Sequence, residues 1–297
     1  MNEIKIIFVP IDFSDGSRSA LEQAARLAGI NGASLHVLHV VDTAVVASLA
    51  ESHHQSFEHQ AVIARQEATE ALACWMAQIG APRSCHSTIV VGVPLHEILE
   101  QAHALKPDLL VVGITGAGES KLGTGSLAVS LGRNVQCKVL LVRASHPNPF
   151  HKIVACIDFS DTAREVAAQA HQVAIQDGAH VDFLHVWQEP WLSAPYAYLA
   201  RVAAEHVKER EKSHGASLRT FVKEASIGID ATEVLLNEAN YANGIAGHAL
   251  RTDADLIVIG AKGRTNLSYV LLGSTAERLL RQLACSLLIV KLHATNL

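Results

Sequence analysis

No apolar stretch in this chain approaches the length needed to span a bilayer. The first residues, with Glu3 and Lys5, lack the basic-then-apolar pattern of a secretory signal. Cysteine is scarce and unpatterned. Cys74, Cys85, Cys137, Cys156 and Cys285 are odd in number and form no C-x-x-C, so they read as buried thiols in a reducing compartment. Positive charge is not in excess: 24 Lys and Arg against 29 Asp and Glu leave a net charge of −5. A general nucleic-acid binder is thereby excluded, because nothing offsets phosphate repulsion. Charged residues are only 18% and apolar residues 49% of the 297, the balance of a folded chain rather than a disordered one. Neither a G-x-S-x-G nucleophile elbow nor a G-x-x-x-x-G-K-S/T loop occurs. These absences describe a folded cytoplasmic protein outside the P-loop ATPases and the α/β-hydrolases.

What the sequence does hold is repetition. Ile11-Asp12-Phe13-Ser14-Asp15 recurs as Ile157-Asp158-Phe159-Ser160-Asp161, and Leu38-His39-Val40 as Leu184-His185-Val186, both at an offset of 146. Asp108-Leu109-Leu110-Val111-Val112-Gly113 answers Asp255-Leu256-Ile257-Val258-Ile259-Gly260 at 147, and Gly125-Ser126 answers Gly273-Ser274 at 148. The chain is a tandem duplication. Pro147 and Pro149 make a short stiff linker, which places domain 1 at 1–146 and domain 2 at 147–297.

Each copy alternates short β-branched runs with amphipathic stretches. In the first, Ile4–Ile11, Ser34–Val41, Cys85–Val91, Asp108–Val112 and Lys138–Val142 read as strands buried on both faces. Ser17–Ala28, a long segment over Val46–Ile79, Leu95–Leu105 and Ser126–Val135 read as helices. In the second copy Ala231–Leu236 is the best third strand. Ser14-Asp15 and Ser160-Asp161 supply N-caps for the first helices. The order predicts two Rossmann-like α/β domains, each a five-stranded parallel sheet of order 3-2-1-4-5 flanked by helices. The last strands are apolar edges, which predicts that they pair with each other or are covered. That pairing would make an intrachain pseudo-dimer, and a homodimer is compatible with it.

In such a sheet the ligand crevice lies beyond strands 1 and 4, where the strand order reverses. In domain 2 those positions are Asp158 and Gly260-Ala261-Lys262-Gly263. Nine residues later comes Gly273-Ser274-Thr275, opening the last helix. Glycines admit close anion approach and positive φ. The N–H groups at Gly273, Ser274 and Thr275 would face negative charge from a helix start. The Ser274 and Thr275 hydroxyls add hydrogen bonds, and Lys262 and Arg264 add positive charge. Asp158, with Ser160 and Asp161 better placed to cap, is left to accept a hydrogen bond from an amino group such as adenine's. Each glycine or serine taken singly fits a turn or cap; the joint pattern favours a ligand.

These residues carry a resemblance. The chain resembles a tandem universal stress protein almost end to end, and GAKGRTNLSYVLLGST from Gly260 to Thr275 matches the G-x-x-G, nine residues, G-S/T motif of that family's ATP-binding members. The resemblance implies that Asp158 and the backbone of Val186 hold adenine, while Gly260, Gly263, Gly273 and Ser274 surround ribose and phosphates. It implies ATP as ligand, and phosphates would bring magnesium with them. Domain 1 keeps Asp12, Val40, Gly113 and Gly116, and it has the Val91-Gly92-Val93-Pro94 segment common in the family. However, only eight residues separate Gly116 from Gly125-Ser126, and Glu119 stands where phosphate would come. The expectation is therefore a main ATP site in domain 2 and a weaker or different one in domain 1. Gly123-Thr124-Gly125-Ser126-Leu127-Ala128 matches a dinucleotide fingerprint but follows the fourth strand, where that fingerprint has no meaning.

Seventeen histidines show no metal-ligand spacing. His39 and His185 read as structural strand residues, and Trp187 and Trp191, which could border a pocket after the second strand, read rather as packing aromatics. No catalytic residue is assigned. The reading is a nucleotide-dependent stress-response regulator with a protein partner and no contact with nucleic acid or membrane. Two rivals stay open: a slow ATP-hydrolysing enzyme, and a nucleotide-free scaffold or small-ligand binder.

Overall fold

A computed structural model describes residues 4–80, 84–114, 126–144, 149–188, 200–263, 272–282 and 284–291. The chain divides into two compact units, 1–144 and 145–297. No described helix is long and apolar enough to cross a membrane.

Unit 1 runs β1 (Ile6–Ile11), α1 (Asp15–Asn31), β2 (Ser34–Asp42), α2 (Thr43–Ser52), α3 (Phe57–Gln78), β3 (Cys85–Gly92), α4 (Pro94–Leu105), β4 (Leu109–Gly113), α5 (Ser126–Asn134) and β5 (Lys138–Val142). Unit 2 runs β6 (Lys152–Cys156), α6 (Asp161–Asp177), β7 (His180–Trp187), α7 (Ala200–Ala225), β8 (Ala231–Asn237), α8 (Tyr241–Arg251), β9 (Leu256–Gly260), α9 (Ser274–Leu280) and β10 (Ser286–Val290). Within each unit the strands are parallel. Their orders are β3-β2-β1-β4-β5 and β8-β7-β6-β9-β10. Both are the doubly wound order read from the sequence.

The central strands are buried on both faces, as at Ile7, Val9, Leu110, Val111, Ile153, Val154, Leu256 and Val258. That is why they read as unbroken apolar runs. The edge strands β3 and β8 do not follow suit: Ser87, Thr88, Thr232 and Glu233 are exposed, because only one neighbour covers them. The segment expected as one helix over Val46–Ile79 is two. His54 turns to φ 52°, and Ser56 then caps α3 by accepting from the His59 N–H at 3.2 Å. The buried-thiol reading holds for Cys137 and Cys285 and fails for Cys74, which is exposed on α3.

Two devices repeat. Asp108, just before β4, accepts from the backbone N–H groups of Lys5 and Ile6 at 2.8 and 2.9 Å, pinning the start of β1. Asp255 does the same for His151 and Lys152 at 2.7 and 3.1 Å. At the other end of the sheets the central strands part. β6 pairs with β9 only as far as Ala155↔Val258, while β9 continues with β10 to Gly260↔Val290. In unit 1 the β1–β4 pairing stops at Phe8↔Leu110. The parting opens a crevice at the switch point of each sheet.

Candidate functional site

The crevice of unit 2 is a cleft of about 370 Å³, within the range of about 300–1,000 Å³ typical of small-molecule sites. Asp158 enters it just beyond β6, and Val186 from β7. Gly260, Lys262 and Gly263 border it after β9, and Gly273, Ser274 and Thr275 where α9 begins. Eight of the nine positions expected in domain 2 thus meet in one cavity. The ninth, Arg264, lies outside the described residues.

Asp158 is held rather than loose. Its Oδ1 accepts from the Ser160 backbone N–H at 3.0 Å and from the Ser160 hydroxyl at 2.6 Å. This corrects the division of labour expected from sequence: Ser160 is the N-cap position of α6 but makes no side-chain cap bond, and its hydroxyl donates to Asp158. The other oxygen turns towards the glycine loop, 3.0 Å from where a Cβ on Gly263 would sit. Among the described lining residues Asp158 is the one carboxylate, and Lys262 and Arg210 are the cations.

The glycines act through closeness. Positive φ, expected for the loop, does not occur at Gly260, Gly263 or Gly273. A Cβ at Gly260 would lie 2.8 Å from Thr162 Cγ2, and one at Gly273 would lie 3.2 Å from the Ala261 carbonyl oxygen. A second correction concerns the helix start. The Gly273 N–H donates to the Ala261 carbonyl at 2.6 Å, so it closes the loop instead of awaiting an anion.

His185 is structural, as expected. Its Nδ1 bonds the Ile157 carbonyl at 2.7 Å, and its ring packs on Phe159, centroids 4.5 Å apart. Phe159 sits at φ 61°, a left-handed turn that ends the strand. Unit 1 repeats the arrangement with His39 Nδ1 on the Ile11 carbonyl at 2.9 Å and Phe13 at φ 61°. Cys156 lines the cleft, but burial, then the nearby Asp158 carboxylate, push its thiol well above the usual range. That disfavours the thiolate form a nucleophile requires.

Sequence reasoning missed the far wall. Trp187, taken as packing, lines the cleft together with Arg210, His214 and Tyr241. Three of these stand on helices far from the motif, and no local spacing announces them. Trp191 lies outside the described residues.

Unit 1 brings together less. Asp12 holds Ser14 as Asp158 holds Ser160, with bonds of 3.1 and 2.5 Å, but it is exposed. Val40 lies on β2, two residues before its end, and Gly113 ends β4. Gly116 and Gly125 lie outside the described residues, as do Glu119 and most of the dinucleotide-like run. Ser126 begins α5, with its side chain not described. Among the described residues no group of three or more His, Cys, Asp or Glu is placed to hold a metal ion.

Two doubly wound domains in one chain, with a furnished crevice at the switch point of the second, define a class of tandem Rossmann-like α/β proteins. The model of the universal stress protein family matches residues 3–143 and 149–291. The chain belongs to the universal stress protein family, with two tandem copies of its domain. A universal stress protein of Methanocaldococcus jannaschii is 34% identical over 145 residues, 48% of this chain and 84% of the relative. Among solved structures, a functionally unknown protein from Pseudomonas aeruginosa PAO1 aligns with a TM-score of 0.70 at 20% identity, over 97% of this chain and 92% of its own. A universal stress protein from Archaeoglobus fulgidus DSM 4304 aligns at 0.63 and 17% identity, over 96% and 98%. At those identities the likeness is one of fold.

Proposed function

We propose that unit 2 binds an adenine nucleotide, ATP with magnesium, and that its occupancy regulates a cytoplasmic stress-response protein through a protein partner. The observation that carries this reading is the cleft itself, which gathers Asp158, the glycine loop with Lys262, and the Ser274 and Thr275 hydroxyls around one cavity. The residues suit the ligand. The Asp158 carboxylate accepts from an amino group. Lys262 and the two hydroxyls offer charge and donors to phosphates at the β9 side. Gly263 keeps the loop low enough for close approach, since any Cβ there would crowd Asp158. Bound nucleotide supplies a polyanion that joins the Gly260–Thr275 segment to the rest of the cleft. Unit 1 is assigned a weaker or different ligand.

The test is the nucleotide content of the purified chain, released by denaturation and identified by chromatography and mass. One equivalent of ATP per chain, lost on Gly273→Val and on Asp158→Ala, is the expected result. Two equivalents would overturn the inequality of the halves. No nucleotide, followed by no heat on titration with ATP and magnesium, would overturn the reading. Hydrogen exchange across Gly260–Thr275 should slow on ATP addition; unchanged exchange and unchanged partner binding would remove the regulatory step.

A further inference from the structure

The far wall of the unit 2 cleft is a stack of π systems and one cation. His214 lies between His185 and Trp187, with centroids 5.0 and 5.2 Å away and planes inclined by 31° and 26°. The Arg210 guanidinium carbon stands 6.0 Å from the Trp187 ring centroid. A hydrogen bond of 3.1 Å joins His185 Nε2 to His214 Nδ1. Because His185 also bonds the Ile157 carbonyl through Nδ1, the wall is anchored to the end of β6 beside Asp158.

The other half of the chain shows what this position holds when it is not a wall. Trp187, Arg210 and His214 follow Val41, Ala64 and Ala68 by the same 146 positions as the repeated motifs. The register is confirmed in space. Trp75 packs edge-on to Phe13 at 5.1 Å, and its counterpart Phe221 edge-on to Phe159 at 6.2 Å. In unit 1 the three positions are aliphatic, and Val41, Val46 and Ala68 form a small buried cluster against which Ala64 packs. Where unit 1 fills the space with methyl groups, unit 2 lines it with indole, imidazole and guanidinium.

We infer that Trp187, His214 and Arg210 are specificity-determining residues that receive the planar base of the nucleotide. β7 and β9 flank β6 on opposite sides, about 10 Å apart at ordinary strand spacing. A ligand with phosphates at the β9 loop therefore lays its other end on the β7 side, where these rings stand. The ring edges that reach the cleft and the Arg210 guanidinium contact a planar base there, and Asp158 selects one with an amino group. This inference rests on the nucleotide reading above.

The experiment is calorimetric titration of the full chain with ATP and separately with inorganic tripolyphosphate, which has the charge but no base. The variants carry the unit 1 residues: Trp187→Val, His214→Ala and Arg210→Ala, with Trp187→Phe as the conservative control. ATP affinity should fall about tenfold in Trp187→Val and His214→Ala and less in Arg210→Ala. Tripolyphosphate affinity should not change, and Trp187→Phe should bind ATP like the intact chain. Trp187 is buried, so melting temperatures accompany each variant, and the half-buried His214 and Arg210 decide the matter if Trp187→Val does not fold. Unchanged ATP affinity in His214→Ala and Arg210→Ala would overturn the inference and leave the nucleotide reading standing. Parallel loss of both ligands would also overturn it, since a base-reading wall does not touch phosphate. An intact chain that binds no ATP would overturn both.

Discussion

The two halves share a fold down to individual hydrogen bonds and differ where a ligand would go. Both clamp the first strand with an aspartate before the fourth. Both end that strand in a left-handed Phe packed at a tilt on a histidine, and both tie an Asp carboxylate to the serine two residues on. At the crevice they diverge. A Cβ on Gly113 would fall 2.4 Å from the Gly16 carbonyl carbon, backbone against backbone. The matching glycine, Gly260, meets instead the side chain of Thr162, which replaces Gly16. Unit 1 thus draws the start of α1 against the end of β4, while unit 2 holds α6 off by a threonine side chain. With the Val41–Val46–Ala68 cluster, unit 1 packs aliphatic side chains where unit 2 places Trp187 and His214 against its cleft. A duplicated domain can retain its scaffold and still change the side chains that stand beside its crevice.

The comparison breaks most readily at Asp182, which has no analogue in unit 1, where His36 stands in register. Asp182 is buried and accepts from Lys152 at 2.9 Å, His180 at 3.0 Å and His248 at 2.9 Å. Asp182→Ala should destabilise unit 2 by about 3–5 kcal/mol, because it strands buried donors. Hydrogen exchange resolved by unit should show the loss confined to residues beyond 148.

The same residue gives the halves different acid sensitivity. Burial pushes the Asp182 pKa up, and hydrogen bonds from His248, Lys152 and His180 outweigh it, bringing the value down to about 2. The depressed value contributes about 2 kcal/mol above pH 4, lost as pH falls towards 2. In unit 1, burial, then the neighbouring His86, lower the pKa of His36, and burial lowers that of His39. A lowered histidine disfavours the folded state once the unfolded chain takes up protons, below about 6.5. Unit 1 should therefore lose protection first on acidification, and Asp182→Asn should flatten the later loss in unit 2.

Gly113→Ala against Gly260→Ala sharpens the contrast between the two helix starts. The first forces backbone from backbone at 2.4 Å and should cost unit 1 about 3 kcal/mol; the second meets the Thr162 side chain at 2.8 Å and the Lys262 carbonyl at 3.1 Å and should cost about 1 kcal/mol. Equal shifts in the two unfolding transitions would refute the contrast. The smallest effect separates the paired serines. Ser14 accepts from the Ser17 N–H at 3.1 Å, so Ser14→Ala should lower unit 1 stability by about 1 kcal/mol. Ser160→Ala removes no cap bond. It should leave unit 2 stability nearly unchanged and weaken ATP binding a few-fold, by releasing Asp158.

The legible part of this protein is the part that local chemistry writes down. The strand runs, the serine caps, the duplication and the glycine spacing all follow from residues near one another in the chain. They predicted both sheet orders and eight residues that meet in one cleft. The failures mark where neighbours in space overrule neighbours in sequence. One long amphipathic run became two helices at a left-handed histidine. The Gly273 N–H, expected to face an anion, closed on the Ala261 carbonyl. The sequence by itself determined the duplication, the doubly wound topology and the position of the phosphate-type loop, because periodicity and turn chemistry act over a few residues. Only the tertiary structure decided that Arg210 and His214 face the cleft of unit 2. Volume is a property of packed side chains, and Arg210 and His214 stand on a helix more than 20 residues beyond Trp187, whose ring they meet.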